Sequence, residues 1–268
     1  MTLPVRALLD SELNEINQAI LSLGSMVDAA IGNAIESLMT SNAAMAQEVI
    51  AGDAEINRLR FQIEEKAYVV LSTQQPMARD LRTVIAAIHF AIELERIGDH
   101  AAGIARIVTR MEGMPLPLPP AFAAMESETE IEDEAATEDD GIDDALEAPP
   151  EPLAEGDVQP KRLKLSRLPK MAKRARDMLN RAVTAYMDRD VEKALAIVKR
   201  DQKINRQYRK FFAEAMQTLN TEHVAEMPTY LLWIAHNLER IGDRTTNMAE
   251  RVVFMVTGQY TEVLEDYA

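Results

Sequence analysis

The sequence contains no cysteine, few aromatic residues and little glycine. The absence of cysteine excludes disulfide bonds, thiolate zinc sites and a cysteine nucleophile. Aromatic residues make up 5% of the 268 positions and only ten are glycine, whereas 47% of the chain is hydrophobic. Ala, Leu, Ile and Met are plentiful, and this balance favours helices over sheets. The composition therefore predicts an all-α protein with a substantial core.

Long hydrophobic runs are also missing. No stretch approaches the ~18 consecutive apolar residues that a membrane-spanning helix needs. The first residues, "MTLPVRALLDSELNEI", contain no apolar core of signal-peptide length. We therefore expect a soluble protein that associates with membranes only through its partners.

Lys and Arg are absent from residues 121–160, which hold 15 of the 44 acidic residues. The net charge of −15 belongs to this segment, because the rest of the chain is balanced. Eight of the twelve prolines lie between Pro115 and Pro160. Chains of this composition bury too little apolar surface to fold alone, so we predict a disordered acidic linker over residues 114–160. The negative field and the lack of a recognised motif argue against nucleic-acid binding.

The two parts that flank the linker repeat each other. The stretch "MTSNAAMAQEVIAGDAEIN" at 39–57 aligns with "MDRDVEKALAIVKRDQKIN" at 187–205, with a constant offset of 148 residues. The six letters LERIGD occur at 94–99 and again at 238–243, with an offset of 144. Two copies of a unit this long indicate a duplication rather than a solenoid.

Each repeat has the periodicity of three long helices with short connections. The predicted helices span residues 8–40, 43–73, 77–111, 165–188, 190–220 and 226–257. Short connections between long helices make antiparallel neighbours. We therefore predict two tandem, pseudo-symmetric three-helix bundles, one within residues 1–113 and the other within residues 161–268.

The LERIGD motif places two carboxylates on one face of a helix. Glu95 and Asp99 are four residues apart, as are Glu239 and Asp243, and this spacing puts side chains one above the other. An apolar stripe lies nearly opposite them in each copy and is expected to enter the core. In the first copy the stripe consists of Leu94, Ile97, Ala101, Ile104 and Val108.

A glycine also recurs inside the motif. Gly98 and Gly242 each cost ~1 kcal/mol relative to alanine in a helix interior. Because glycine occupies the same position in both repeats despite this cost, we expect a neighbouring helix or a ligand to approach the backbone closely there.

The carboxylates allow three interpretations. In the first interpretation the carboxylates pair with nearby arginines and have a purely structural role. In the second they bind a divalent cation or iron, because hard cations accept oxygen ligands. Asn247, four residues after Asp243, would extend the second site, whereas its counterpart Gly103 supplies no ligand. His236 precedes Glu239 by three residues and is a weaker candidate. The third interpretation, a di-iron carboxylate enzyme, is disfavoured because no Glu-x-x-His occurs in the sequence.

The duplicated three-helix unit resembles the PhoU family of phosphate-uptake regulators. The resemblance is carried by "QQPMARDLRTVIAAIHFAIELERIGDHA" in the first repeat and "PTYLLWIAHNLERIGDRTTNMAERVVF" in the second. It implies a non-enzymatic cytoplasmic adaptor between a phosphate ABC transporter and a sensor histidine kinase, which represses the starvation response when phosphate is ample. A second copy of the chain is a further candidate partner.

The resemblance also implies metal binding through an E/D-x-x-x-D motif in each repeat. It maps onto Glu95 with Asp99 and onto Glu239 with Asp243. Aspartates of the preceding helices are weaker candidates that would complete each site across the bundle; these are Asp53 and Asp201. The alternatives are a metal-storage or metal-buffering bundle with no signalling role, and a helical scaffold in which LERIGD is structural.

Overall fold

The computed structural model describes residues 5–114, 163–222 and 225–259. These residues form six α-helices and no strand. The helices are α1 Val5–Met39, α2 Ala43–Gln74, α3 Arg79–Arg110, α4 Arg167–Asp188, α5 Val191–Glu222 and α6 Glu226–Thr257. Every end lies within three residues of the predicted one, so the all-α fold with three helices in each repeat is confirmed. The predicted linker lies outside the described residues, apart from Met114.

Local turn chemistry ends the helices and reverses the chain. The Asn42 side chain caps α2 by accepting a hydrogen bond from the Met45 backbone N–H at 3.0 Å. In the equivalent turn of the second repeat, Arg189 adopts a left-handed conformation with φ 55° and Asp190 accepts from the Lys193 N–H at 3.0 Å. Both turns are short, so consecutive helices are antiparallel neighbours.

The apolar stripe opposite the carboxylates is buried in both repeats, as the periodicity predicted. Its five members on α3 are at most 5% exposed. On α6 the stripe is also buried and comprises Leu238, Ile241, Thr245, Met248 and Val252. Glu95 and Glu239, which lie away from this stripe, are only partly buried.

The two three-helix bundles share one continuous hydrophobic core. Helix α3 packs along α6, and α1 packs along α4. The contacts across α3 and α6 are reciprocal: Glu93 lies 3.5 Å from Arg244, and His100 Nδ1 lies 3.0 Å from Asn237 Oδ1. Asn237 and Arg244 are the counterparts of Glu93 and His100 at the 144-residue offset. The repeats are therefore related by a pseudo-twofold axis between α3 and α6.

A second inter-repeat contact joins α1 to α4 across the same axis. Arg176 donates to both carboxylate oxygens of Asp28, at 2.9 and 2.7 Å. These two residues are counterparts at the 148-residue offset. Deeper in the interface, the Tyr186 hydroxyl donates to Asn17 at 3.1 Å, and its ring packs on Phe90 with centroids 4.6 Å apart. The duplication thus folds as a single body with one carboxylate cluster in each half.

Candidate functional site

The first cluster forms where α2 packs on α3. Asp53 on α2 faces the carboxylates of Glu95 and Asp99 on α3. Burial raises the pKa of Asp53 and of Glu95, and the charge of Asp99 raises the pKa of both further. Asp99 itself is exposed. The three predicted residues of this repeat are therefore close enough to interact electrostatically.

Two arginines of the same repeat lie beside this first cluster. Arg60 on α2 is 3.9 Å from Glu95 Oε1, and Arg106 on α3 is 3.9 Å from Asp53 Oδ2. Arg60 also donates to Glu64 at 2.7 Å and lies 3.9 Å from the ring centre of Phe61. Both arginines counteract the pKa rise of the carboxylates they face.

The second cluster forms at the equivalent junction of α5 and α6. Asp201 on α5 is 9% exposed, and its Oδ1 is buried without a hydrogen-bond partner. Burial raises the pKa of Asp201 to about 6, with further contributions from Asp243 and Glu239 that exceed the opposing effect of the Asn205 hydrogen bond. That bond runs from Asn205 Nδ2 to Asp201 Oδ2 at 2.8 Å. Burial, followed by the charge of Asp243, also raises the pKa of Glu239.

The recurring glycine makes room for the preceding helix. A methyl group at Gly98 would lie 3.1 Å from the Cδ1 and Cγ2 atoms of Ile56. At Gly242 the nearest atom would be Asp201 Oδ1, at only 2.6 Å. The sequence predicted close approach by a helix or a ligand, and the approaching group is a helix in both repeats. Only in the second repeat does it bring a carboxylate onto the glycine.

The residues that border the second cluster differ from those of the first. Tyr208 occupies the position of Arg60, and Glu250 occupies the position of Arg106. The basic residue that pairs with this cluster is Arg240, which donates to Asp243 at 2.8 Å. These differences between the repeats were not predicted, although the alignment of the two repeats contains them.

His236 is close to the second cluster. Its Nδ1 lies 3.3 Å from Glu239 Oε2, yet that oxygen is buried and makes no geometrically acceptable hydrogen bond. The His236 ring also packs 5.9 Å from the ring of Tyr208. Burial and the charge of Glu239 raise the pKa of this tyrosine.

Asn247 contacts the other repeat. Its Nδ2 donates to Glu93 Oε2 at 3.4 Å across the interface between α3 and α6. Gly103, its counterpart, faces Asn237, whose Oδ1 would lie 3.1 Å from an added methyl group. The Asn247 and Gly103 positions therefore differ in how they pack at the pseudo-twofold axis, and the metal-ligand role of Asn247 stays a prediction.

The carboxylate clusters have the oxygen donors that hard cations prefer. Buried carboxylate oxygens without a hydrogen-bond partner occur in both, at Asp53, Asp201 and Glu239. In the described part of the chain, no group of three or more His, Asp or Glu side chains is arranged so that it could hold a metal ion. The donor chemistry fits a cation, and the metal sites stay a prediction.

Asp201 makes stability depend on pH in the chelator-treated protein. Its folded pKa of about 6 exceeds the ordinary value near 3.9, so the folded state binds the proton more tightly. Stability therefore falls as pH rises from about 4 to 6. We expect Asp201→Asn, which keeps an acceptor for Asn205, to raise the free energy of unfolding at pH 7.5 by about 1–2 kcal/mol and by much less at pH 4.5. Urea unfolding at both pH values checks this; a variant less stable than wild type at pH 7.5 would contradict it.

Within residues 5–114, 163–222 and 225–259, none of the helices has the length and apolar character required to cross a membrane.

The PhoU domain family model matches residues 20–108 and 168–252, which together make up more than half of the chain. The chain belongs to the PhoU family. The two matched segments contain both carboxylate clusters.

Curated relatives align with this chain over most of their length. A phosphate-specific transport system accessory protein PhoU homolog from Rhizobium meliloti (strain 1021) is 30% identical over 250 residues, covering 93% of this chain and 87% of the relative. The homolog with that description from Clostridium acetobutylicum is 26% identical over 260 residues, covering 96% of this chain and 98% of the relative.

Solved structures of PhoU proteins share the fold. The crystal structure of the phosphate transport system regulatory protein PhoU from Streptococcus pneumoniae superposes with a TM-score of 0.73 at 25% identity, covering 95% of this chain and 99% of that one. PhoU from Pseudomonas aeruginosa gives a TM-score of 0.71 at 23% identity, covering 93% and 99% of the two chains. The second likeness supports the fold alone.

Proposed function

We propose that this PhoU-family chain is a cytoplasmic, non-enzymatic regulator that serves a phosphate-specific transport system. It acts as an adaptor between the phosphate ABC transporter and a sensor histidine kinase and keeps the starvation response off when phosphate is ample. The observation that carries the proposal is the match of both repeats to the family model, together with relatives named as accessory proteins that align over nearly their whole length.

The outer surface of α2 supports an adaptor role. Phe61 and Tyr68 are each 57% exposed and Val69 is 48% exposed, and the three lie on one side of the helix. They line a shallow groove with Glu64 and Glu65 among its other lining residues. Exposed aromatic residues grouped in this way are typical of protein-binding surfaces.

The carboxylate clusters support a role for cations in this regulation. Buried carboxylate oxygens without partners are costly, and a divalent or iron cation would satisfy them. In the second repeat the ligands would come from Asp201, Glu239 and Asp243. The same clusters favour the second candidate function, a metal-storage or metal-buffering bundle.

Depletion of this protein in cells grown in ample phosphate tests the proposal. We expect a phosphate-starvation reporter to rise at least tenfold, because the kinase would lose its inhibitory adaptor. A wild-type copy should restore repression. A copy with Phe61→Ser and Tyr68→Ser should fail to restore it while accumulating normally, because both side chains are exposed and dispensable for folding.

A reporter that stays silent, with unchanged phosphate uptake, would refute the regulator proposal. If the total metal content of the same depleted cells fell at the same time, the storage function would replace it.

A further inference from the structure

The two carboxylate clusters occupy equivalent positions but have different neighbours. We propose that only the second cluster, formed by Asp201, Glu239 and Asp243, binds a divalent cation, and that the first is neutralised by arginines of its own repeat. The inference rests on the cation-binding part of the proposed function and deepens it. It predicts one specific cation per chain in a protein with two LERIGD motifs.

Two arginines of the same repeat lie beside the carboxylates of the first cluster. Arg60 and Arg106 each lie 3.9 Å from one of its carboxylates. A guanidinium at this distance stabilises the ionised carboxylate and repels an incoming cation. Arg60 is 18% exposed and held by Glu64, which is 14% exposed, so it is positioned by packing as well as by charge. The first cluster therefore resembles an ion-pair network more than a vacant site.

The second cluster lacks both of these positive charges. Tyr208 replaces one arginine and Glu250 replaces the other, so that one of the two changes reverses the charge. Among the ion pairs of the described residues, none joins a Lys or Arg to Asp201 or Glu239. Arg240 donates to Asp243 at 2.8 Å, and its charge also partly offsets the raised pKa of Glu239. Three carboxylates thus face one arginine, and the local field attracts cations.

Unpartnered oxygens point to a ligand independently of the charge count. Asp201 is nine-tenths buried, and its Oδ1 faces Gly242 and the charges of Glu239 and Asp243 without a hydrogen-bond partner. Glu239 Oε2 and Asn205 Oδ1 are also buried without a partner, whereas among the three carboxylates of the first cluster this is true only of Asp53 Oδ1. A buried charged group with no partner is strongly unfavourable, and a bound cation removes that cost.

The donor types define the chemical class of the cation. Carboxylate and amide oxygens suit Mg²⁺, Ca²⁺ and Mn²⁺. The nearby imidazole of His236, 3.3 Å from Glu239, adds a nitrogen donor, and imidazole nitrogen shifts preference toward transition metals. Mn²⁺ is therefore the appropriate probe, with Mg²⁺ in excess to suppress weak binding by the acidic segment at residues 121–160.

Equilibrium dialysis of the chelator-treated full-length chain against Mn²⁺ tests the inference. We expect one Mn²⁺ per chain. The double variant Glu239→Gln with Asp243→Asn should bind at least tenfold more weakly, whereas the matched Glu95→Gln with Asp99→Asn should stay within twofold of wild type. Thermal unfolding gives an independent readout, because a ligand that binds only the folded state raises the melting temperature. Only the first of these variants should lose the Mn²⁺-dependent rise.

A second set of variants exchanges the residues that border the two clusters. Arg60→Tyr combined with Arg106→Glu gives the first cluster the surroundings of the second, and we expect it to bind a second Mn²⁺. Tyr208→Arg should abolish binding at the second cluster. Circular dichroism should confirm that each variant remains helical.

The outcomes separate this inference from the function on which it rests. If the wild type bound two Mn²⁺ ions with similar affinity, the proposal that only the second cluster binds a cation would be wrong. The proposal that cations take part in the regulation would still stand. If the wild type bound no Mn²⁺ specifically, both of these proposals would be wrong. The starvation reporter would still decide whether the protein is a regulator.

Discussion

Replacing Tyr186 with alanine is expected to lower the free energy of unfolding by about 3–5 kcal/mol, the range for removing a large aromatic side chain from a core. Tyr186 on α4 is 2% exposed. Its ring packs on Phe90 of α3 and its hydroxyl donates to Asn17 of α1. The alanine variant therefore opens a cavity at a point where the two repeats meet. Urea unfolding followed by circular dichroism measures the loss.

Two controls make the Tyr186 result interpretable. Tyr186→Phe keeps the ring and loses one hydrogen bond, so we expect a loss of only about 1 kcal/mol. Tyr68→Ala removes the same kind of side chain from an exposed position and should change stability by less than about 0.5 kcal/mol. An alanine variant at 186 that costs no more than the phenylalanine variant would show that the two repeats do not depend on this contact.

Gly242→Ala is expected to destabilise the protein by about 1–2 kcal/mol, because an overpacking cost of about 3 kcal/mol outweighs the ~1 kcal/mol gain in helix propensity. The new methyl group would lie 2.6 Å from Asp201 Oδ1. That carboxylate is short, buried and held by Asn205, so it cannot move away without losing its hydrogen bond. Urea unfolding measures the loss.

Gly98→Ala is the matched control in the other repeat. Its methyl group would lie 3.1 Å from Cδ1 and Cγ2 of Ile56, and an isoleucine side chain can yield by a few tenths of an ångström. The strain should roughly cancel the helix-propensity gain, so we expect a change within about 1 kcal/mol of zero. Equal losses for Gly242→Ala and Gly98→Ala would mean that the carboxylate is not what makes Gly242 necessary.

Much of the fold was predictable because its signals are local. The spacing of Leu94, Ile97 and Ala101 specifies a buried helix face without knowledge of any other helix. The turn at Asn42 uses short-range capping chemistry. Consequently the helix boundaries agreed with prediction to within three residues. The association of the two repeats into one core was not predicted, because it depends on contacts between residues more than 100 positions apart, such as Asp28 with Arg176.

The candidate site was predicted only in part. The carboxylates of LERIGD were identified because their four-residue spacing is a property of one helix. The neighbours that distinguish the clusters, Arg60 and Tyr208, belong to another helix, and only packing brings them to the motif. The contact of the Asn247 amide with Glu93 of the other repeat was likewise not predictable from one helix.

The sequence by itself determined six amphipathic helices in two copies, with a carboxylate pair and a glycine at the same place in each, because helical periodicity and internal repetition are both written along the chain. Only the tertiary structure decided that the copies share one core and that two arginines, Arg60 and Arg106, lie beside the carboxylates of the first cluster. The physical reason is that burial and charge compensation depend on which helices pack together. The pKa of a carboxylate is therefore set by neighbours that are distant from it in the sequence.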